Sequence, residues 1–277
     1  MNLVDFIKHS IAEDIGAGDF TSLSSIAAHK QGKAKLLVKE NGIIAGVELA
    51  LQILNQVDSA LIIQTFIKDG THVTVGDIVF TIEGSVHSIL KAERIVLNCM
   101  QRMSGIATVA KKYADAVAGT RAKILDTRKT TPLNRLIEKW AVRIGGAYNH
   151  RFGLYDMIMI KDNHVDYAGG IAQAIKAANF YLQQKNLVLQ IEIETRTLDE
   201  VKQVLQTGNV NRIMLDNFKP ELLKQAVELI NHAYETEASG GIVLENVREY
   251  ALTGVDFISV GALTHSVKSI DLSLKAF

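Results

Sequence analysis

Between Arg121 and His164 the chain carries nine Lys/Arg against four Asp/Glu, although the whole sequence is balanced at 30 of each. The remainder is therefore net negative by five. A neutral chain that concentrates its cations in one stretch is building an anion site rather than a generally basic surface. Arg128, Lys129, His150, Arg151, Lys161 and His164 lie in short polar segments next to apolar runs. Charges in such segments carry function more often than charges on a helix face. Further on, Glu194 and Asp216 each follow an apolar run. They are hard oxygen ligands that could share a magnesium ion with substrate phosphates. Ser239-Gly240-Gly241 and Gly261 precede helical patterns, where backbone N–H groups and the helix dipole favour phosphate. The sum points to a multiply anionic ligand with at least one phosphate, and to a metal. Each position also has a plainer alternative. The glycine pair could be turn geometry, a strand-end Glu could be an ion-pair partner, and His150 could be a hydrogen-bonded supporting group.

The elements that must position these residues follow from periodicity. Apolar strand candidates at 122–125, 157–160, 188–193, 212–215, 236–238 and 257–260 alternate with helical patterns at 171–184, 198–206, 220–232 and 244–252. A further helix over 133–144 buries Leu133, Leu136, Ile137, Trp140, Ala141 and Ile144 and leaves Arg135, Glu138, Lys139 and Arg143 off the stripe, with Lys139 and Arg143 solvated. Alternation of this kind means a parallel sheet, and strands that are apolar throughout suit a sheet buried on both faces. Nearly every strand is followed by a polar or glycine signal. A barrel gathers such ends on one rim, whereas a doubly wound sheet concentrates its site at one crevice, so a barrel is expected.

Upstream, residues 1–85 read as a small α+β layer. It holds a helix at 2–13, a strand at 33–39, a helix at 47–57, an apolar strand at 60–67 and a hairpin of strands 72–75 and 78–82. Residues 88–118 read as helix, broken near Ser104-Gly105, and Arg94 there reads as a solvated residue. The single Cys99 rules out an intramolecular disulfide, and balanced charge argues against a nucleic-acid binder. No apolar run is long enough for a membrane span, and residues 1–20 lack a signal peptide's pattern, so a cytoplasmic protein is expected.

Seven short motifs run in order: EDIG with Gly18-Asp19, KENG (39–42), DTRKTTP (126–132), NHR (149–151) with IKDNH (160–164), LDN (215–217), EASGGI (237–242) and SVGALTHS (259–266). In these the chain resembles the quinolinate phosphoribosyltransferases over essentially its whole length. The resemblance implies a type II phosphoribosyltransferase-like α/β fold. An N-terminal α/β sandwich (1–108, with 267–277 returning to it) would join an incomplete, seven-stranded parallel α/β barrel (109–266). It implies a reaction that joins quinolinate to phosphoribosyl pyrophosphate (PRPP), with Mg, giving nicotinate mononucleotide, pyrophosphate and carbon dioxide. Arg94, Arg128, His150, Arg151 and Lys161 would bind quinolinate, Arg94 from the neighbouring subunit of a homodimer. Lys129, Glu194 and Asp216 would serve PRPP, catalysis and metal, and Ser239, Gly240, Gly241, Gly261 and His265 would cradle phosphate. Whether dimers assemble into hexamers stays open.

Two departures stand out. Leu133-Asn134 follow Pro132 where family members commonly have Gly-Leu, and Gly145-Gly146-Ala147 replaces a glycine triplet. Neither removes a charge. Three alternatives carry different chemistry: a branch of the same fold linked to molybdenum-transport operons, a nicotinate phosphoribosyltransferase, and a non-catalytic anion-binding sensor. The complete set of cations disfavours the first, the usual length the second, and the retention of both Glu194 and Asp216 the third.

Overall fold

The computed structural model describes residues 2–277. In chain order the elements begin α1 (Leu3–Ile15), α2 (Phe20–Ser25), β1 (Gln31–Val38), β2 (Gly42–Ile43), α3 (Val47–Val57), β3 (Ile62–Thr65), β4 (His72–Val73), β5 (Ile78–Ser85) and α4 (Val86–Ala116). They continue β6 (Lys123–Leu125), α5 (Arg135–Ile144), β7 (Ile158–Ile160), α6 (Asp162–Ala168), α7 (Ile171–Lys185), β8 (Ile191–Thr195) and α8 (Leu198–Thr207). The last are β9 (Arg212–Asp216), α9 (Pro220–Ile230), β10 (Glu235–Ser239), α10 (Val247–Ala251), β11 (Phe257–Ser259), α11 (Ala262–His265) and β12 (Leu272–Ala276).

Two compact units result. The first gathers residues up to Lys111 with Thr130–Gly146 and Leu263–Phe277. Its sheet has the order β12-β1-β5-β3, all antiparallel, so the C-terminal strand pairs with β1. Strands 72–75 and 78–82 are not a hairpin. The Asp77 carboxylate accepts the Thr74 N–H at 2.8 Å and closes the turn, and β4 pairs with β2 instead. The apolar run at 60–67 yields only the short edge strand β3, with Ile62 exposed.

α4 runs unbroken through Ser104-Gly105 because both residues are used for packing. Ser104 is fully buried, and its hydroxyl bridges the Ala45 N–H and C=O. Gly105 lets the Lys268 carbonyl approach where any Cβ would collide with it. Segment 130–146 joins this unit, against a single boundary after residue 108, because it packs on α4. Gly145 lies against Ala107, and Arg102 donates to Glu138 Oε1 at 2.8 and 3.0 Å.

The solvated outer face expected for the 133–144 helix is only partly present. Arg143 is exposed, but Glu138 and Lys139 are buried. Glu138 also accepts the Thr131 N–H at 3.1 Å, so it ties the TTP loop to α5. Arg102→Ala would leave this carboxylate buried without its cation, at an expected cost of about 3–5 kcal/mol in denaturant unfolding. Leu133 is not on the stripe. It is exposed and sits at φ 67°, in the left-handed region, so the helix starts at Arg135. Leu133→Gly is expected to raise stability by about 1 kcal/mol in the same measurement, because glycine takes this φ without steric cost and little apolar burial is lost.

The second unit comprises Lys112–Lys129 and Ala147–Ala262. Its parallel sheet has the order β6-β11-β10-β9-β8-β7. From β7 to β11 each strand lies beside its successor in the chain, so there is no reversal of the doubly wound kind. Tyr148 bridges Leu125 of β6 in parallel, with its N–H donating to the Ile124 carbonyl at 2.8 Å. It is the stub of a seventh strand. No ladder among the described residues joins that stub to β7, which leaves the barrel incomplete there.

Candidate functional site

The strands of the barrel are not apolar throughout. Side chains two apart on a strand share a face. Glu192 and Glu194 on β8, Arg212 and Asp216 on β9, and Glu235, Glu237 and Ser239 on β10 therefore form polar rows that climb to the C-terminal rim. The alternate positions Ile191, Ile193, Ile213, Leu215 and Ala238 are buried and aliphatic. This overturns the expectation of strands apolar on both faces. One face packs in the ordinary way and the other is built of charge.

Low in this interior lies a network that the sequence reading did not single out. His150 Nε2 is 3.0 Å from Glu192 Oε2 and 3.3 Å from Glu237 Oε2. Arg212 lies 2.9 Å from Glu237 and 3.0 Å from Glu235, with its guanidinium 3.9 Å from the centre of the Phe257 ring. Glu192 and Glu237 are fully buried. Burial works against charge on His150, but the two carboxylates outweigh it and push its pKa up to about 9. Burial and the neighbouring Glu237 push Glu192 up to about 7. Burial also opposes charge on Glu237, yet His150 and then Arg212 hold its pKa below the usual carboxylate value. These groups share protons as one system. The Arg151 backbone N lies 2.7 Å from His150 Nδ1. His150, Glu192 and Glu237 could by spacing hold a cation. Arg212 already supplies the positive charge there, and the cluster is an internal ion network. Its sequence signal was the i, i+2 spacing of acids in IEIET and ETEAS.

At the rim, the N–H of His150 donates to the buried Asp126 carboxylate at 2.8 Å, which fixes the NHR segment beside β6. Arg151 is half-buried and donates to the Met157 carbonyl at 3.2 Å. Burial, and then the charge of Arg128, push its guanidinium pKa below the ordinary value. A half-buried arginine whose charge is opposed by a nearby exposed one suits an anion that both can pair with. Arg128 and Lys129 lie exposed just after β6. Lys161 follows β7 and pairs with the nearly buried Glu194 at 3.1 Å. His164 is not at a strand end: it lies on α6, a helix missed in the sequence, and its Nδ1 accepts the Lys161 N–H at 2.9 Å. Asp216 ends β9 in register with Ser239, and the Asn217 amide donates to it at 2.6 Å. Gly240, at φ 93°, packs against Asn217 where a Cβ would overlap the amide oxygen. Gly261 follows β11 just ahead of α11.

Eleven of the expected residues, Arg128, Lys129, His150, Arg151, Lys161, Glu194, Asp216, Ser239, Gly240, Gly241 and Gly261, thus belong to the barrel unit. Arg94, exposed on α4, and His265, exposed on α11, belong to the first unit. Glu194 and Asp216 lie on adjacent parallel strands, and a pair of carboxylates fits a hard divalent cation such as magnesium.

An incomplete parallel barrel with cations, two carboxylates and a glycine cradle at its strand ends defines an enzyme-like site for a phosphorylated polyanion. Residues 19–104 match the family model for the quinolinate phosphoribosyl transferase N-terminal domain, and residues 106–275 match that for the C-terminal domain. The chain belongs to the quinolinate phosphoribosyltransferase family. It is 51% identical over 284 residues to the chloroplastic nicotinate-nucleotide pyrophosphorylase (carboxylating) of Arabidopsis thaliana, covering 97% of this chain and 81% of that one. It is 40% identical to the probable nicotinate-nucleotide pyrophosphorylase (carboxylating) of Bacillus subtilis (strain 168), covering 99% of this chain and 93% of the relative. The crystal structure of NadC from Streptococcus pyogenes superposes with a TM-score of 0.93 at 38% identity, over 99% of this chain and 97% of that one.

Proposed function

We infer that this chain transfers the phosphoribosyl group of PRPP to quinolinate and decarboxylates the product, giving nicotinate mononucleotide, pyrophosphate and carbon dioxide for NAD biosynthesis. The observation that carries this is the gathering of Arg128, Arg151 and Lys161 with Glu194 and Asp216, which lie on adjacent strands, at the strand ends of one barrel of a family member. The pyridine nitrogen forms a bond to ribose C1 as the bond from C1 to pyrophosphate breaks, and pyrophosphate leaves with the electron pair. Carboxylates near C1 stabilise the positive charge that develops there. The ring, now cationic, accepts the electrons of the adjacent C–carboxylate bond; carbon dioxide departs and the ring carbon takes a proton from solvent. The cation cluster orients a dianion. Glu194 and Asp216 would hold magnesium, which when bound neutralises charge on pyrophosphate.

The reading includes a homodimer in which Arg94 serves the partner's site. An equal mixture of Arg94→Ala and Arg151→Ala proteins, re-equilibrated, should regain part of the activity that each lacks alone, since some mixed dimers would hold one intact site. No recovery would remove the shared site. For the reaction itself, the pure protein is given PRPP and magnesium with either quinolinate or nicotinate. Turnover of quinolinate alone is expected, and turnover of nicotinate alone would move the assignment to the monocarboxylate enzymes. Gly240→Ala is expected to raise the KM for PRPP by about tenfold, the equivalent of the backbone strain that a Cβ meets at a left-handed φ.

A further inference from the structure

Arg102 stands on α4 and carries none of the site roles given above, yet its guanidinium ties together two segments remote in sequence. Nε and Nη2 donate to Glu138 Oε1 at 3.0 and 2.8 Å. Nη1 donates to the Val267 carbonyl at 3.1 Å, and Nη2 also donates to the Thr264 carbonyl. These two carbonyls bracket His265, which belongs to the phosphate cradle in the reading above. Glu138 is fully buried, and its Oε2 accepts the Thr131 N–H at 3.1 Å. Thr131 lies two residues beyond Lys129, which serves PRPP in the same reading. The loop is held further at the start of α5, where Arg135 Nε donates to the Thr130 hydroxyl at 3.0 Å and the Asn134 N–H to the Thr131 carbonyl at 3.1 Å. We propose that Arg102 and Glu138 are a positioning pair for PRPP. Glu138 anchors the loop that leads back to Lys129, and Arg102 anchors the turn that carries His265. This rests on the quinolinate phosphoribosyltransferase reading above.

The physical need lies in the exposure of these segments. Lys129, Thr131 and His265 are all exposed, and a long cation on a free loop loses binding energy to ordering. Fixing the loop backbone on a buried charge pair removes part of that loss before the ligand arrives. The chemistry of the pair suits the task. A carboxylate has lone pairs enough for a guanidinium and a backbone N–H at once, and the guanidinium keeps donors for two carbonyls. All of these contacts lie within the first compact unit. Stability alone does not call for charge here, because an apolar pair of similar volume often holds a fold as well as a buried ion pair does. An apolar pair would make none of the four ties.

The test is a kinetic comparison of Glu138→Gln and Arg102→Lys. In Glu138→Gln one acceptor oxygen faces two donor groups, so the tie to Thr131 or to Arg102 is lost. In Arg102→Lys a charge remains for Glu138, but a point charge does not also hold both carbonyls. Each change should raise the KM for PRPP by about tenfold through misplaced phosphate contacts. The KM for quinolinate should rise by less than about threefold, because Arg151 and Lys161 lie on other segments. In a Lys129→Ala background the effect of Glu138→Gln on the PRPP KM should shrink to less than about twofold, since the residue it places is gone. Ser104→Ala loosens the same helix by removing the hydroxyl that bridges Ala45, and should change neither KM. Equal rises in both KM values, an undiminished Glu138→Gln effect in the Lys129→Ala background, or an equal PRPP effect of Ser104→Ala would reduce the pair to a structural tie and overturn the proposal. The wild-type protein supplies a test that needs no variant to fold. The amide of the exposed Thr131 should exchange at least about 100-fold more slowly than a free peptide group, because Glu138 holds it. Rapid exchange there also overturns the proposal. Absence of wild-type turnover would instead count against the enzymatic reading, and Thr131 exchange with direct PRPP binding by the same variants would still decide the pair.

Discussion

Arg151→Ala is expected to lower kcat/KM for quinolinate by about 10²- to 10³-fold, on the order of what truncating one partner of a buried charge pair costs. The same substitution should leave the melting temperature unchanged or slightly raised. Both halves follow from one geometry. Burial and Arg128 already act against the charge of Arg151 in the free protein, so removing it relieves the fold. A ligand with two adjacent carboxylates gains from both cations, so removing one costs binding. An active site that stores like-charge repulsion gives up stability for function. Steady-state kinetics and a thermal melt on the same preparation check the two halves together. Loss of activity with a large fall in melting temperature would show Arg151 to be a structural residue.

Arg212→Leu should do the opposite and act first on stability. Arg212 is the cation that faces the buried Glu237, and it also stacks on Phe257. Leucine recovers part of the packing but leaves two buried glutamates with only His150 between them. Breaking such a buried pair costs about 3–5 kcal/mol, a fall of roughly 6–20 °C in melting temperature for a domain of this size. Arg212→Lys should recover part of the loss, because a point charge remains near Glu237 while the planar fork and the stacking go. Equal stability of the Leu variant and wild type would mean that the network carries no net energy.

Much of this molecule could be read from the chain because strand and helix signals alternate regularly after residue 120. All six parallel strands were placed within a few residues, and most of the residues expected at the site lie in the segments that follow them. The errors share a physical origin in contacts between segments far apart in sequence. Ser104-Gly105 looks like a helix break, but those residues serve a hydrogen bond to Ala45 and a close approach of residue 268. Glu138 looks like an outer-face charge, but Arg102, on another helix, brings it inside. The short helix α6 was hidden behind a motif read as a strand end. The barrel strands were read as apolar throughout, when the spacing of two between the acids of β8 and β10 marked a charged face. The role of Arg94 is of another kind, since nothing in its helical setting points to a site, and only the resemblance assigned one. His150 was legible as a cation or as a supporting group, and the two buried glutamates beside it, which favour its charged form, were not legible as its neighbours.

The central claim is the coupled transfer and decarboxylation. Quinolinate labelled in the carboxylate next to the ring nitrogen, supplied with PRPP and magnesium, allows released carbon dioxide and nicotinate mononucleotide to be counted in one reaction. One carbon dioxide for each mononucleotide formed, and none when PRPP is withheld, is the expected result. Tight PRPP binding without either product, or carbon dioxide release without PRPP, would contradict it.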